Sequence, residues 1–137
     1  MSISAALRSH VRERAAARCE YCRMPEEYDP APFEIDHIIP EKMDGPTVPG
    51  NLAFACFKCN NHKGPNIAGI DPATKDKSYL FDPRSDHWAE HFRWEEANLN
   101  GLTPKGRTTI ELLRINESHR VALRHQLILE GAFPDDS

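Results

Sequence analysis

CEYCRMPEEYDPAPFEIDHIIPEKMDGPTVPGNLAFACFKCNNHK, residues 19–63, holds every cysteine of the chain. They fall in two pairs, Cys19-x-x-Cys22 and Cys56-x-x-Cys59. A turn that separates two cysteines by two residues points both sulfurs and nearby backbone N–H groups at a common centre. One such pair is weak, because redox motifs share it. Two pairs in a chain with no other cysteine read as one structural Zn²⁺ site of four thiolates. The intervening residues 23–55 are too many for an ordinary zinc ribbon. Something folded must sit between the pairs.

Working outward, 137 residues make one domain with room for an extension, and a modest core to which a structural metal would add stability. Hydrophobic content of 39% and charged content of 28% are ordinary for a soluble globular protein. No apolar run reaches the length of a membrane span. The N-terminus MSISAALRSHVRERAAAR lacks an apolar segment followed by a cleavage site, so a cytoplasmic protein with thiol metal ligands is expected.

The net charge of −4 argues against a nucleic-acid partner, but the charges are uneven. Arg8, Arg12, Arg14 and Arg18 stand near the N-terminus against Glu13. Lys105, Arg107, Arg114, Arg120 and Arg124 stand later against Glu111 and Glu117. Eight acids lie between residues 20 and 50. The two basic segments are candidate phosphate-tracking surfaces; scattered solvated charge is the bland alternative. The tail Asp135-Asp136 reads as disordered.

Ser4 is a candidate cap for a helix to about Arg18, with Ile3, Leu7, Val11 and Ala15 as its apolar stripe. Pro25, Pro30 and Pro32 exclude regular structure over 23–32. Residues 33–39 read as a strand ended by Pro40, and 41–50 as a loop. Residues 51–55 are a strand or a helical turn. A short helix follows Cys59 and stops at Gly64-Pro65. Residues 65–83 are turn-rich. Ser85 predicts the cap of a short helix through Phe92, after which Phe92-Arg93-Trp94 extends. Thr103-Pro104 opens a helix to about Ile115. Asn116 predicts the cap of a last helix to Glu130, stopped by Gly131. These two helices read as an antiparallel pair.

Asp36-His37, then Asn51, then Cys56-x-x-Cys59-Asn60-x-x-Lys63 resembles the His-Asn-His nuclease motif, known as HNH, in the subgroup with two zinc-binding CxxC pairs. The resemblance covers about residues 19–63. It implies an α+β fold: a ββα-metal core stapled by the zinc of Cys19, Cys22, Cys56 and Cys59, with an N-terminal helix and a C-terminal helical extension. The division it suggests is a nuclease domain over 1–95 and a helical extension over 96–137, packed as one unit.

The resemblance also implies roles. His37 is the general base that deprotonates water; free imidazole, titrating near 6.5, is mostly neutral at neutral pH. Asp36 and Asn60 hold a catalytic Mg²⁺ or Mn²⁺ through hard oxygens. Asn51 ties down the loop bearing His37. Lys58, Lys63 and Arg84 are the candidate nucleic-acid contacts. Asn60 stands where other members carry histidine, and His62 is the alternative ligand two positions on. The expected activity is hydrolysis of phosphodiester bonds in DNA. The modest basic content implies weak non-specific binding, with a partner or a second copy supplying more. The rival is a non-catalytic zinc module that binds nucleic acid or protein. His10, His87, His119 and His125 read as surface residues, and His91 as a satisfied core residue or one that supports the site from behind, with no catalytic role.

Overall fold

The computed structural model describes residues 3–134, so the expectation for Asp135-Asp136 lies outside it. The chain divides into two compact units, Met1–Ile67 with Asp82–Asp86, and Ala68–Phe81 with His87–Ser137. The expected division at residue 95 falls inside the second of these units. No helix of the described residues is long and apolar enough to cross a membrane.

The first unit opens with α1, Ala5–Arg14, and Ser4 caps it by accepting the Leu7 N–H at 3.1 Å. Val11 is its buried anchor. The helix ends four residues earlier than expected. Ala16 and Ala17 both adopt φ of +55°, and the Ala17 N–H returns to the Arg12 carbonyl. That left-handed pair reverses the chain so that Arg18 bridges Pro25 and Cys19 enters its turn. Such a conformation costs alanine roughly 1–2 kcal/mol per residue, which sequence alone does not anticipate.

Strand β1, Glu34–His37, pairs antiparallel with β2, Leu52–Ala55, placing Asp36 opposite Ala53 and His37 opposite Leu52. Every residue of β2 is buried, as its unbroken apolar run requires. Helix α2, Phe57–Lys63, follows at once, stopped by Gly64 at φ +52°. Its start precedes the expected one because Cys56 is itself the cap. The α+β class and its ββα core are as expected. Glu20 welds the first cysteine turn to β2: its N–H donates to the Phe54 carbonyl at 2.8 Å, and its carboxylate accepts the Phe54 N–H at 2.8 Å.

The second unit is not simply helical. It holds two hairpins, β3 Ala68–Ile70 with β4 Lys77–Tyr79, and β5 Phe92–Glu95 with β6 Asn98–Gly101. Strands of three residues such as β3 and β4 leave too short a pattern to read. Helix α3, Trp88–His91, has His87 rather than Ser85 at its cap; the Ser85 hydroxyl donates to Asp82 instead. Helix α4, Pro104–Leu113, is capped by Thr103 as expected. Helix α5, Ser118–Leu129, starts after Glu117. Asn116 does not cap it, because its amide is spent on the Leu99 N–H and carbonyl of β6. His91 is satisfied by Thr103 at 2.7 Å, between the rings of Phe81 and Phe92.

Asp71 organises this unit. Its carboxylate accepts both Arg107 Nε at 3.0 Å and Nη2 at 2.8 Å, plus the Ala73 N–H and the Thr74 hydroxyl. The Arg107 fork, first among these, holds the Asp71 carboxyl well below the ordinary range. A depressed folded pKa stabilises above the unfolded value, near 3.9, and that contribution drains away as pH falls below it. Thermal midpoints of the wild type and Asp71→Asn should therefore differ most at neutral pH, and the gap should narrow below about pH 4. An equal gap at pH 7 and pH 2.5 would exclude this linkage.

Candidate metal and catalytic site

The four cysteine sulfurs lie within 4.8 Å of one another, all buried. The Cys22 and Cys56 sulfurs are 3.8 Å apart. A tetrahedron with Zn–S of about 2.3 Å has edges of about 3.8 Å. In each turn the second cysteine's N–H donates to the first cysteine's sulfur, at 3.5 Å for Cys22 and 3.4 Å for Cys59. Contacts with Cys19 push the Cys56 thiol up, and burial pushes Cys59 up. Four thiolates at this spacing need a cation between them. The donor set fits zinc.

His37 ends β1 with its imidazole half-buried. Its Nε2 lies 2.9 Å from the Thr47 hydroxyl and 4.0 Å from the Glu41 carboxylate, one helical turn on in sequence. Thr47 sits in the loop that joins β1 to β2, and Asn51 clamps that loop. The Asn51 carbonyl oxygen accepts the Ile39 N–H at 2.9 Å; its amide donates to the carbonyls of Ile39 at 3.0 Å and Pro46 at 2.9 Å. Gly45 is held inside the same turn, where a Cβ would fall 1.8 Å from the Ile39 carbonyl oxygen.

Asp36, one residue before, points into the core and is 4% exposed. Its Oδ2 accepts the Tyr21 hydroxyl at 2.7 Å, and its Oδ1 accepts the Lys63 ammonium at 3.2 Å. Burial pushes the Asp36 carboxyl up, opposed by the Lys63 charge and the Tyr21 hydroxyl. Burial, reinforced by Asp36, holds the Tyr21 hydroxyl well above its usual range, so it remains a donor. Lys63 is 1% exposed, and its ammonium also donates to the carbonyls of His37 and Ile38, each at 3.2 Å. Three donors meet three acceptors. This corrects the expected phosphate contact: Lys63 has no surface to offer one.

Asn60 lies one turn before Lys63 on α2, half-buried. Its side-chain amide makes no hydrogen bond among the described residues. His62 is two positions further, which turns it to another side of the helix, so it does not replace Asn60.

Residues 19–66 match the family model described as HNH endonuclease. The chain carries an HNH domain. It is also similar to the Septu protein PtuB of Bacillus thuringiensis, at 25% identity over 118 residues. That alignment covers 85% of this chain but 43% of the relative, so the chain spans less than half the length of that protein. No solved structure matches.

Some of the cations that the sequence offers are engaged within the protein, and others are exposed. Lys58 is exposed. Arg84 is not available: its guanidinium is paired with the mostly buried Glu20. Arg14 donates to the carbonyls of Pro49 at 2.9 Å and Leu52 at 2.6 Å, and Arg12 pairs with Glu26 at 2.7 Å. In the second unit Arg120 and Arg124 are buried on main-chain carbonyls, and Arg124 stacks on Trp94 at 5.3 Å. Arg120 and Arg124 are thus internal scaffolding, whereas Arg8, Arg12, Arg14 and Arg114 remain exposed. Sequence reading also passed over Tyr21, Glu41 and Thr47. The only available signal was for Tyr21, an aromatic phenol set between two metal-ligand cysteines.

Proposed function

We propose that this protein is a metal-dependent endonuclease that hydrolyses phosphodiester bonds in DNA. The observation that carries the reading is the mounting of His37. Its Nε2 is engaged by Thr47 on a loop clamped by Asn51, and its Nδ1 has no partner among the described residues. In the tautomer with Nε2–H donating to Thr47, Nδ1 keeps the lone pair that takes a proton from water. The Glu41 carboxylate lies 4.0 Å from Nε2.

Asp36 and Asn60 are the residues that would hold a catalytic Mg²⁺ or Mn²⁺. They fit in one respect each: the Asn60 amide is without a partner among the described residues, and each Asp36 oxygen accepts one hydrogen bond there where a carboxylate oxygen can accept two. An ion bound there would supply charge neutralisation at the phosphate and at the departing 3′ oxygen. Lys58 is left as the candidate phosphate contact on α2. A second copy or another partner would supply further backbone contacts.

The test incubates zinc-loaded protein with supercoiled plasmid and labelled oligonucleotides, in Mg²⁺, Mn²⁺ or chelator. Divalent-dependent cleavage leaving a 5′-phosphate and a 3′-hydroxyl is expected. The second reading, a non-catalytic zinc module, draws on one observation: the Asp36 charge is already countered by Lys63. Zinc binding with no cleavage of any substrate would favour it.

A further inference from the structure

Lys63 is an unusual lysine. A buried ammonium is costly unless its charge and all its protons are satisfied. Here they are, by Asp36 Oδ1 and the carbonyl oxygens of His37 and Ile38. Two of these three acceptors are the carbonyl oxygens of the two successive peptides that follow the His37 Cα. The lysine therefore grips the backbone that carries the imidazole, at the point where β1 gives way to the loop. The grip has a second end. Asp36 is held from its other oxygen by Tyr21, which sits between the ligand cysteines Cys19 and Cys22. A continuous buried chain runs from the cysteine turn through Tyr21 and Asp36 to Lys63 at the last turn of α2.

We propose that Lys63 is a positioning residue for the reaction: its ammonium fixes the His37 peptide, and the Tyr21–Asp36–Lys63 chain makes that alignment depend on the cysteine turn. The proposal rests on the nuclease reading above and names a residue that acts through His37 without touching substrate. A displacement of about 1 Å in a reacting group costs on the order of 10²-fold in rate. Loss of the grip should appear in the rate at saturating substrate and leave DNA affinity alone. A phosphate-contacting lysine would do the reverse, weakening binding and lowering the salt dependence by about one counterion.

The experiment uses the full zinc-loaded chain as wild type, Lys63→Met, Tyr21→Phe and His37→Ala. Single-turnover cleavage at saturating DNA, DNA affinity across a salt series, zinc per chain and the NMR resonances of the His37 ring are measured for each. Lys63→Met should lose about 10²-fold in rate, with affinity and salt dependence unchanged and the His37 ring resonances shifted. Tyr21→Phe should lose less, about tenfold, with zinc retained. A wild-type rate at saturation with weakened, less salt-dependent binding overturns the proposal, as do unchanged His37 resonances in folded Lys63→Met. Should Lys63→Met fail to fold, Tyr21→Phe decides, and a wild-type rate with unmoved resonances overturns the chain. Should the wild type cleave nothing, the nuclease reading falls by itself, and the ring resonances still judge the positioning of His37.

Discussion

Cys19→Ser should leave the first unit unfolded or aggregated at neutral pH. Each sulfur is buried and lies within 4.8 Å of the other three. The turn around Cys19 also brings Glu20 to Phe54 and Tyr21 to Asp36, so its loss frees β2 and the strand before the loop together. Zinc-finger peptides draw about 10–16 kcal/mol from such an ion at neutral pH. A domain's entire net stability is about 5–15 kcal/mol. Three remaining thiolates hold part of the metal affinity, yet the deficit still exceeds what this small core can absorb. Circular dichroism and zinc analysis on the same sample check it. A cooperatively folded, zinc-free Cys19→Ser protein with the wild-type melting temperature would show that the cluster is not structural.

His37→Ala should behave in the opposite way. The imidazole is half-buried and its side-chain contacts among the described residues are the Thr47 hydroxyl and the Glu41 carboxylate, so its removal takes little from the fold. Zinc content, melting temperature and DNA affinity should stay at wild-type values. Cleavage should fall by about 10²–10⁴-fold, the usual worth of a positioned general base, or about 3–5 kcal/mol on the barrier. Single-turnover rates at matched zinc content check it. An undiminished rate removes His37 from the chemistry, and an unfolded variant makes it a structural residue.

What could be read beforehand was whatever depends on local spacing. The paired cysteines, the Ser4 and Thr103 caps and the strand before Pro40 each follow from residues a few positions apart. The fate of the cations did not. Whether Lys63, Arg84, Arg120 or Arg124 meets solvent or a carbonyl depends on where a helix lands against another element, and the chemistry of a long basic side chain suits both. The same holds for Asp36: the sequence offers a metal-binding carboxylate but does not show that Tyr21 and Lys63 each meet one of its oxygens. The β3–β4 hairpin escaped notice because its order comes from Asp71 and Arg107, 36 residues apart. The early end of α1 escaped because two alanines adopt a left-handed backbone that their type disfavours.

The proton on the His37 ring decides the mechanism. Selective ¹⁵N labelling of the histidine rings in the zinc-loaded wild type, read by NMR at neutral pH, reports which nitrogen carries it. The expected result is Nε2–H bonded to Thr47 with Nδ1 bare. A proton on Nδ1, with Nε2 as the acceptor, would leave no lone pair where water must be deprotonated and would contradict the assignment of His37 as the base.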